Sequence, residues 1–133
     1  MPVLVDSNVL IDIVTNDPKW CDWSSSMLAK FLDEDIVMIN PIIYAEISIA
    51  FQEPSEVDKC FPPHLFVREA LPWEAAFVAG KAFLAYRKQK GQKNTPLPDF
   101  YIGAHARVCN YILLTRDSTR YRTYFPEIRL VSP

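Results

Sequence analysis

Four apolar runs of only three or four residues and a fifth short run interrupted by Arg129, with helix-patterned stretches between them, constrain this chain most. Residues 3–5, 36–39, 65–67, 111–114 and 128–131 are too short for buried helices and read as buried strands. Ser7 can cap a helix through Val14, and Asp17-Pro18 breaks it. Residues 20–32 place Trp20, Trp23, Met27, Leu28 and Phe31 at helical spacing. Asn40-Pro41 offers an N-cap and a first-turn proline for a helix to about Gln52. A short helix over 55–61 ends at Pro62-Pro63, and Pro72 opens a long one to about Lys90, stopped by Gly91. After a loop over 91–98, Pro98 starts a helix to about Val108, and a short helix follows Asp117. Strands alternating with helices predict a three-layer α/β/α sandwich with a mostly parallel sheet of about five strands. Ligands of such sheets sit beyond the carboxyl ends of the strands.

A length of 133 residues fits one domain, spanning 1–133, that can bury enough surface to fold without a disulfide or structural metal. The three cysteines, Cys21, Cys60 and Cys109, form no CxxC pair; each reads as a small buried hydrophobe in a reducing compartment. No targeting segment or membrane-spanning run is visible, so a cytoplasmic protein is expected. The net charge of −2 hides an asymmetry. Residues 1–67 carry 3 Lys/Arg against 11 Asp/Glu, whereas residues 68–133 carry 11 against 5. A basic half beside an acidic centre suits a phosphate backbone approaching a metal, although solvated helix faces give the same tally.

Four acids fall in special places. Asp6 directly follows the first strand, and Asp117 lies three residues past Leu114, so both stand at the functional edge of a parallel sheet. Asp99 opens a helix. Glu46 lies within Ile42-Ile43-Tyr44-Ala45-Glu46-Ile47, where a buried carboxylate costs several kcal/mol without a partner, and no basic residue lies within a turn. A shared cation meets that need. Clustered carboxylates without a His/Cys set suit Mg²⁺ or Mn²⁺, and His64 and His105 lack zinc-motif spacing. Singly, each acid has a structural explanation, such as a helix cap for Asp99 and Asp117; the conjunction favours chemistry. Asp12, six residues past Asp6, is turned away from the strand end by the intervening helix and is expected at the surface or in a cap.

These residues resemble the motifs of PIN-domain nucleases. Val5-Asp6-Ser7-Asn8 with Asp12 is similar to the first motif, Tyr44-Ala45-Glu46-Ile47 to the second, Pro98-Asp99-Phe100 to the third, and Leu114-Thr115-Arg116-Asp117 to the fourth. The order and spacing span nearly the whole chain, and the layout looks most like VapC-type toxins of toxin–antitoxin pairs. The resemblance implies a Mg²⁺- or Mn²⁺-dependent endoribonuclease, a homodimer, and a cognate antitoxin that blocks the site. It implies Asp6, Glu46, Asp99 and Asp117 as metal-binding acids. Ser7 and Thr115 would orient ligands through their hydroxyls, with Asn8 in the same polar network. Arg87, Lys88, Lys90 and Lys93 lead to Asp99 and are candidates for RNA phosphate contacts, with Arg116 as another. Trp20, Trp23 and Phe31 suit either core or a partner surface.

Two other enzyme layouts fit less well. A haloacid-dehalogenase phosphatase needs an acid where Asn8 stands, and a receiver domain needs an acidic cluster and a late lysine that are missing. An RNA-processing nuclease outside a toxin–antitoxin pair, or a catalytically silent PIN-like binding module, stays open, as does the number of metal ions.

Overall fold

The computed structural model describes residues 1–90 and 97–133. The elements run β1 (Val3–Val5), α1 (Ser7–Val14), α2 (Cys21–Glu34), β2 (Val37–Ile39), α3 (Pro41–Ser48), α4 (Pro54–Cys60), β3 (Phe66–Arg68), α5 (Trp73–Lys90), α6 (Leu97–Cys109), β4 (Ile112–Leu114), α7 (Thr119–Tyr124) and β5 (Arg129–Val131). All strand pairs are parallel, in the order β3-β2-β1-β4-β5. Parallel strands buried on both faces need continuous apolar sequence, and β1 supplies it: Val3, Leu4 and Val5 are all 0% exposed. Right-handed crossovers put α1–α4 on one face, because the chain steps from β1 to β2 to β3. It then returns past β1 to β4 and β5, which puts α5–α7 on the other.

The register fixes what the sheet presents at its carboxyl edge. Val5 pairs with Leu114, Leu4 with Met38, Ile39 with Arg68, and Leu114 with Val131. The first residue past each strand therefore falls in one polar row: Glu69, Asn40, Asp6, Thr115 and Ser132. Backbone hydrogen bonds carry the ladder into that row, the Asp6 N–H donating to the Leu114 carbonyl at 2.9 Å and the Glu69 N–H to the Ile39 carbonyl at 2.9 Å. The strand order reverses between β1 and β4, and ligands of open parallel sheets bind at such a switch point, which here lies beyond Asp6 and Thr115.

Local chemistry sets the helices that carry the site. Asn40 caps α3, its Oδ1 accepting from the Ile43 amide at 2.9 Å, with Pro41 at the first helical position. The helix ends at Ser48, a turn earlier than Gln52. Ser7 begins α1, but no side chain caps that helix, and the Ser7 hydroxyl is used elsewhere. Phe83, Tyr86, Phe100, Tyr124 and Phe125 form an aromatic seam joining α5, α6 and α7, with ring centroids 5.2–6.4 Å apart. Gly103 allows this: a Cβ there would stand 2.6 Å from a Phe125 ring carbon. Cys60 is exposed, contrary to its reading as a buried hydrophobe, because it ends α4 on the outer side; Cys21 and Cys109 are half-buried. Phe31 is buried and Trp23 packs against the core. Among the described residues, no helix is long and apolar enough to cross a membrane.

Candidate active site

Asp6 stands at the end of β1, 3% exposed, and three donors meet on one of its oxygens. Thr115 Oγ1 donates to Oδ2 at 2.9 Å, the Tyr121 hydroxyl at 2.8 Å and Asn8 Nδ2 at 3.4 Å. Asn8 also donates to Thr115 Oγ1 at 3.2 Å, and its Oδ1 accepts from the Arg116 amide at 3.1 Å. Oδ2 is thus fully engaged, which leaves Oδ1 for the crevice. Ser7 Oγ lies 3.5 Å from Oδ1 and donates to Glu46 Oε1 at 2.7 Å, tying α1 to α3. Asp99, in the first turn of α6, accepts from Arg120 Nη1 at 2.6 Å. Asp117 is the most exposed of the four acids; its Oδ1 accepts from the Thr119 amide at 3.3 Å, a side-chain turn that leads into α7.

The electrostatics show that Asp6, Glu46 and Asp99 share one environment. Burial, then the Asp99 charge, then that of Glu46 push the Asp6 pKa up to about 7, against the Tyr121 and Thr115 hydrogen bonds. Burial and Asp99 raise Glu46, whose hydrogen bond from Ser7 opposes the shift. Burial and Asp117 raise Asp99 despite the Arg120 guanidinium. Burial and the same carboxylates hold the Tyr121 hydroxyl well above its ordinary range, so it remains a donor. The charges of Asp6, Glu46 and Asp99 thus act on one another, and sets of oxygen donors are what hard cations prefer.

One expected role is corrected. Asp12 is 1% exposed, neither a surface residue nor a cap. It does turn away from the strand end, but toward α2 and the loop after β4, which cover that face of α1. There its Oδ2 accepts from Ser24 Oγ at 2.8 Å and from Arg116 Nε at 2.9 Å, and its Oδ1 accepts from Arg116 Nη2 at 3.0 Å. Arg116 thus pairs with Asp12 and packs over the Trp20 ring, with its side chain 29% exposed. Arg87 and Lys88 are exposed near the end of α5; Lys90 closes that helix, and Lys93 lies outside the described residues.

Tyr121 and Arg120 are site residues that sequence reading missed. Tyr121 carried a signal: with Phe125 four residues on, it marks an inward face on the short helix after Asp117. Arg120 carried none, since its partner is 21 positions away. Glu69, His105 and Cys109 form a second titratable group, with ligand atoms within 4.8 Å of one another. Asn40 disfavours an ion there. With its Oδ1 bound to Ile43, it donates through Nδ2 to His105 Nδ1 at 3.0 Å, which leaves the ring proton on Nε2, facing Glu69.

No family model and no curated protein matches the chain. Solved structures do. VapBC2 from Rickettsia felis, bound to a DNA fragment from its promoter, matches with TM-score 0.74 at 17% identity, over 100% of this chain and 99% of that one. VapBC-1 from nontypeable Haemophilus influenzae matches with TM-score 0.71 at 18% identity, over 99% and 98%. A toxin–antitoxin complex from Klebsiella pneumoniae matches with TM-score 0.66 at 20% identity, over 97% and 95%. At these identities the likeness shows the fold, the PIN-like α/β sandwich.

Proposed function

We propose that this protein is a Mg²⁺- or Mn²⁺-dependent endoribonuclease and the toxin of a toxin–antitoxin pair. One observation carries the reading: three carboxylates at the switch point, Asp6, Glu46 and Asp99, are pushed toward protonation by burial and by one another. Asp117 adds to the field on Asp99, and Arg120 is the one cation bonded to these acids among the described residues. Asp6 through Oδ1, with Glu46, Asp99 and Asp117, would hold the ion. When bound, it supplies Lewis-acid stabilisation of a scissile phosphate and a water of lowered pKa.

The chain's own contribution is preorganisation. Thr115, Tyr121 and Asn8 lock Asp6, and Ser7 locks Glu46, before any substrate arrives. Arg87 and Lys88, with Lys90 and Lys93, are proposed to hold RNA phosphates beside α6. The fold's likeness to toxin–antitoxin complexes supports an antitoxin as partner, and a second copy of the chain is proposed beside it. Trp73 and Phe77, 91% and 67% exposed on α5, offer apolar surface of the kind that partners cover.

Incubating inhibitor-free protein with structured RNA and Mg²⁺ or Mn²⁺ should give discrete cuts that EDTA suppresses and Asp6→Asn abolishes. No cleavage under any of these conditions would leave a PIN-like binding module. Alanine at Lys88, Lys90 and Lys93 should flatten the salt dependence of RNA binding; an unchanged slope removes these residues from the interface. A small neighbouring reading frame for a DNA-binding protein would support the antitoxin, and sedimentation of the purified chain tests the dimer.

A further inference from the structure

A second cavity opens along the same carboxyl edge, and the proposed chemistry does not use it. Its volume is 320 Å³, and Asn40, Pro41, Tyr44, Arg68 and Glu69 form most of its wall. By register, Glu69 stands level with Asn40 and Asp6, two strands across from Asp6. At the spacing of parallel strands that is roughly 10 Å.

A buried polar network stands behind this wall, and its effect is to fix one carboxylate. Asn40, 2% exposed, holds His105, 0% exposed, in the tautomer with its proton on Nε2. That nitrogen lies 3.4 Å from Glu69 Oε1, and the Tyr111 hydroxyl donates to the same oxygen at 2.6 Å. Burial lowers the His105 pKa and raises that of Tyr111, so both stay neutral donors. Oε1 is thereby saturated. Oε2 has no hydrogen-bond partner among the described residues and is open to solvent. On another part of the wall the Arg68 guanidinium lies 4.9 Å from the Tyr44 ring centre and pairs with Asp58. Asn40 also caps α3, but burying the His105 imidazole to orient one acceptor beside two flat groups costs free energy that the metal site does not use.

An oriented acceptor beside a guanidinium and an aromatic ring is how proteins read a splayed-out nucleobase. We propose that this cavity binds a base of the RNA strand next to the cut, with Glu69 Oε2 accepting its N–H donors. Guanine fits best. Its N1–H and N2–H₂ donors adjoin and can share the free oxygen, and its O6 acceptor suits the donors of Arg68. Uracil fits worst, because its one N–H is flanked by two carbonyls that a carboxylate repels. The inference rests on the nuclease reading for its biological sense, but its test does not require cleavage.

Metal-free Asp6→Asn protein titrated with the four ribonucleoside 5′-monophosphates, followed by amide NMR, separates the two. All four share one phosphate, so differences between them report the base. GMP should give saturable shifts at Asn40, Glu69 and Ala70, and UMP should give none at equal concentration. Glu69→Gln keeps an oxygen for Tyr111 and His105 but presents N–H₂ where Oε2 stood. It should weaken GMP at least tenfold with an unchanged melting curve, and in the active protein it should change the base preference at the cut. UMP binding as tightly as GMP, shifts confined to the acidic cluster, or full GMP affinity in Glu69→Gln would each overturn the proposal. Absent RNA cleavage with the GMP response intact would sink the nuclease reading alone.

Discussion

Asp6 has two oxygens with different tasks. Oδ2 accepts from Thr115, Tyr121 and Asn8, and Oδ1 is left to the crevice. Asn at this position can keep its carbonyl in the donor cluster and turn its amide toward the remaining carboxylates. Asp6→Asn should therefore lose activity and gain stability in the metal-free protein. Because the folded pKa is raised from 3.8 to about 7, the folded state holds a proton that the unfolded chain releases. Wild-type stability is then greatest below about pH 4 with respect to this group and falls as pH rises toward 7. Urea unfolding at pH 5 and pH 8 should show the decline in wild type and a flatter profile in the variant. The wild-type decline between these two pH values should be on the order of 2–3 kcal/mol; parallel profiles would refute the shared-charge environment. Arg120→Ala acts oppositely. Its pair with Asp99 is over a third exposed on the Arg120 side, so metal-free stability should fall by only about 0.5–1 kcal/mol. Calorimetric titration should show tighter Mg²⁺ binding, since the guanidinium no longer competes for Asp99; unchanged affinity would mean that Arg120 only orients the carboxylate.

The elements divide by how far their causes lie along the chain. The strands and the cap of α3 were legible because their signals are local: apolar runs, Asn40-Pro41, Asp17-Pro18. The positions of Asp6 and Asp117 at strand ends were legible for the same reason, as was the demand of Glu46 for a partner. Asp12 was misread because helical periodicity says which way a side chain points, not what covers it. Here Arg116, 104 positions away, converts an expected solvent-facing acid into a buried ion pair. Tyr121 and the Glu69 network depend on α6, α7 and the edge strands meeting, which no local pattern encodes. The meeting of α6 and α7 can be tested at Gly103, where a Cβ would lie 2.6 and 2.7 Å from Phe125 and 3.1 Å from Tyr121. Both rings are buried, so Gly103→Ala should cost about 1–3 kcal/mol despite the better helix propensity of alanine. At Gly80, in α5, a Cβ would meet nothing within 4 Å, and Gly80→Ala should stabilise by about 0.5–1 kcal/mol. Chemical denaturation of the pair decides it; equal shifts would mean that the seam has room to yield.

At the scale of the whole molecule, the acidic first half and the basic second half do not stay apart. Arg68 pairs with Asp58 and Arg116 with Asp12, each joining the two halves, while Arg120 with Asp99 and Arg107 with Glu127 pair within the second. What survives of the asymmetry is local: the carboxylates Asp6, Glu46 and Asp99 raise one another's pKa, and Arg120 is the one cation bonded to them among the described residues. Folding thus leaves a charge imbalance at one place, and a ligand that cancels it must stabilise the fold. At a hundred times its dissociation constant, a divalent ion bound only by the folded state adds about 2.7 kcal/mol. For a domain of this size that raises Tm by about 3–6 °C per kcal/mol, or on the order of 10 °C in all. Thermal unfolding in Mg²⁺ should show that rise against EDTA, and NaCl at equal ionic strength should not reproduce it. Asp6→Asn should start from a higher Tm and respond less, because the same repulsion has been relieved covalently. If NaCl matched Mg²⁺ in wild type, diffuse screening would explain the response, and the four carboxylates would not form a coordinating site.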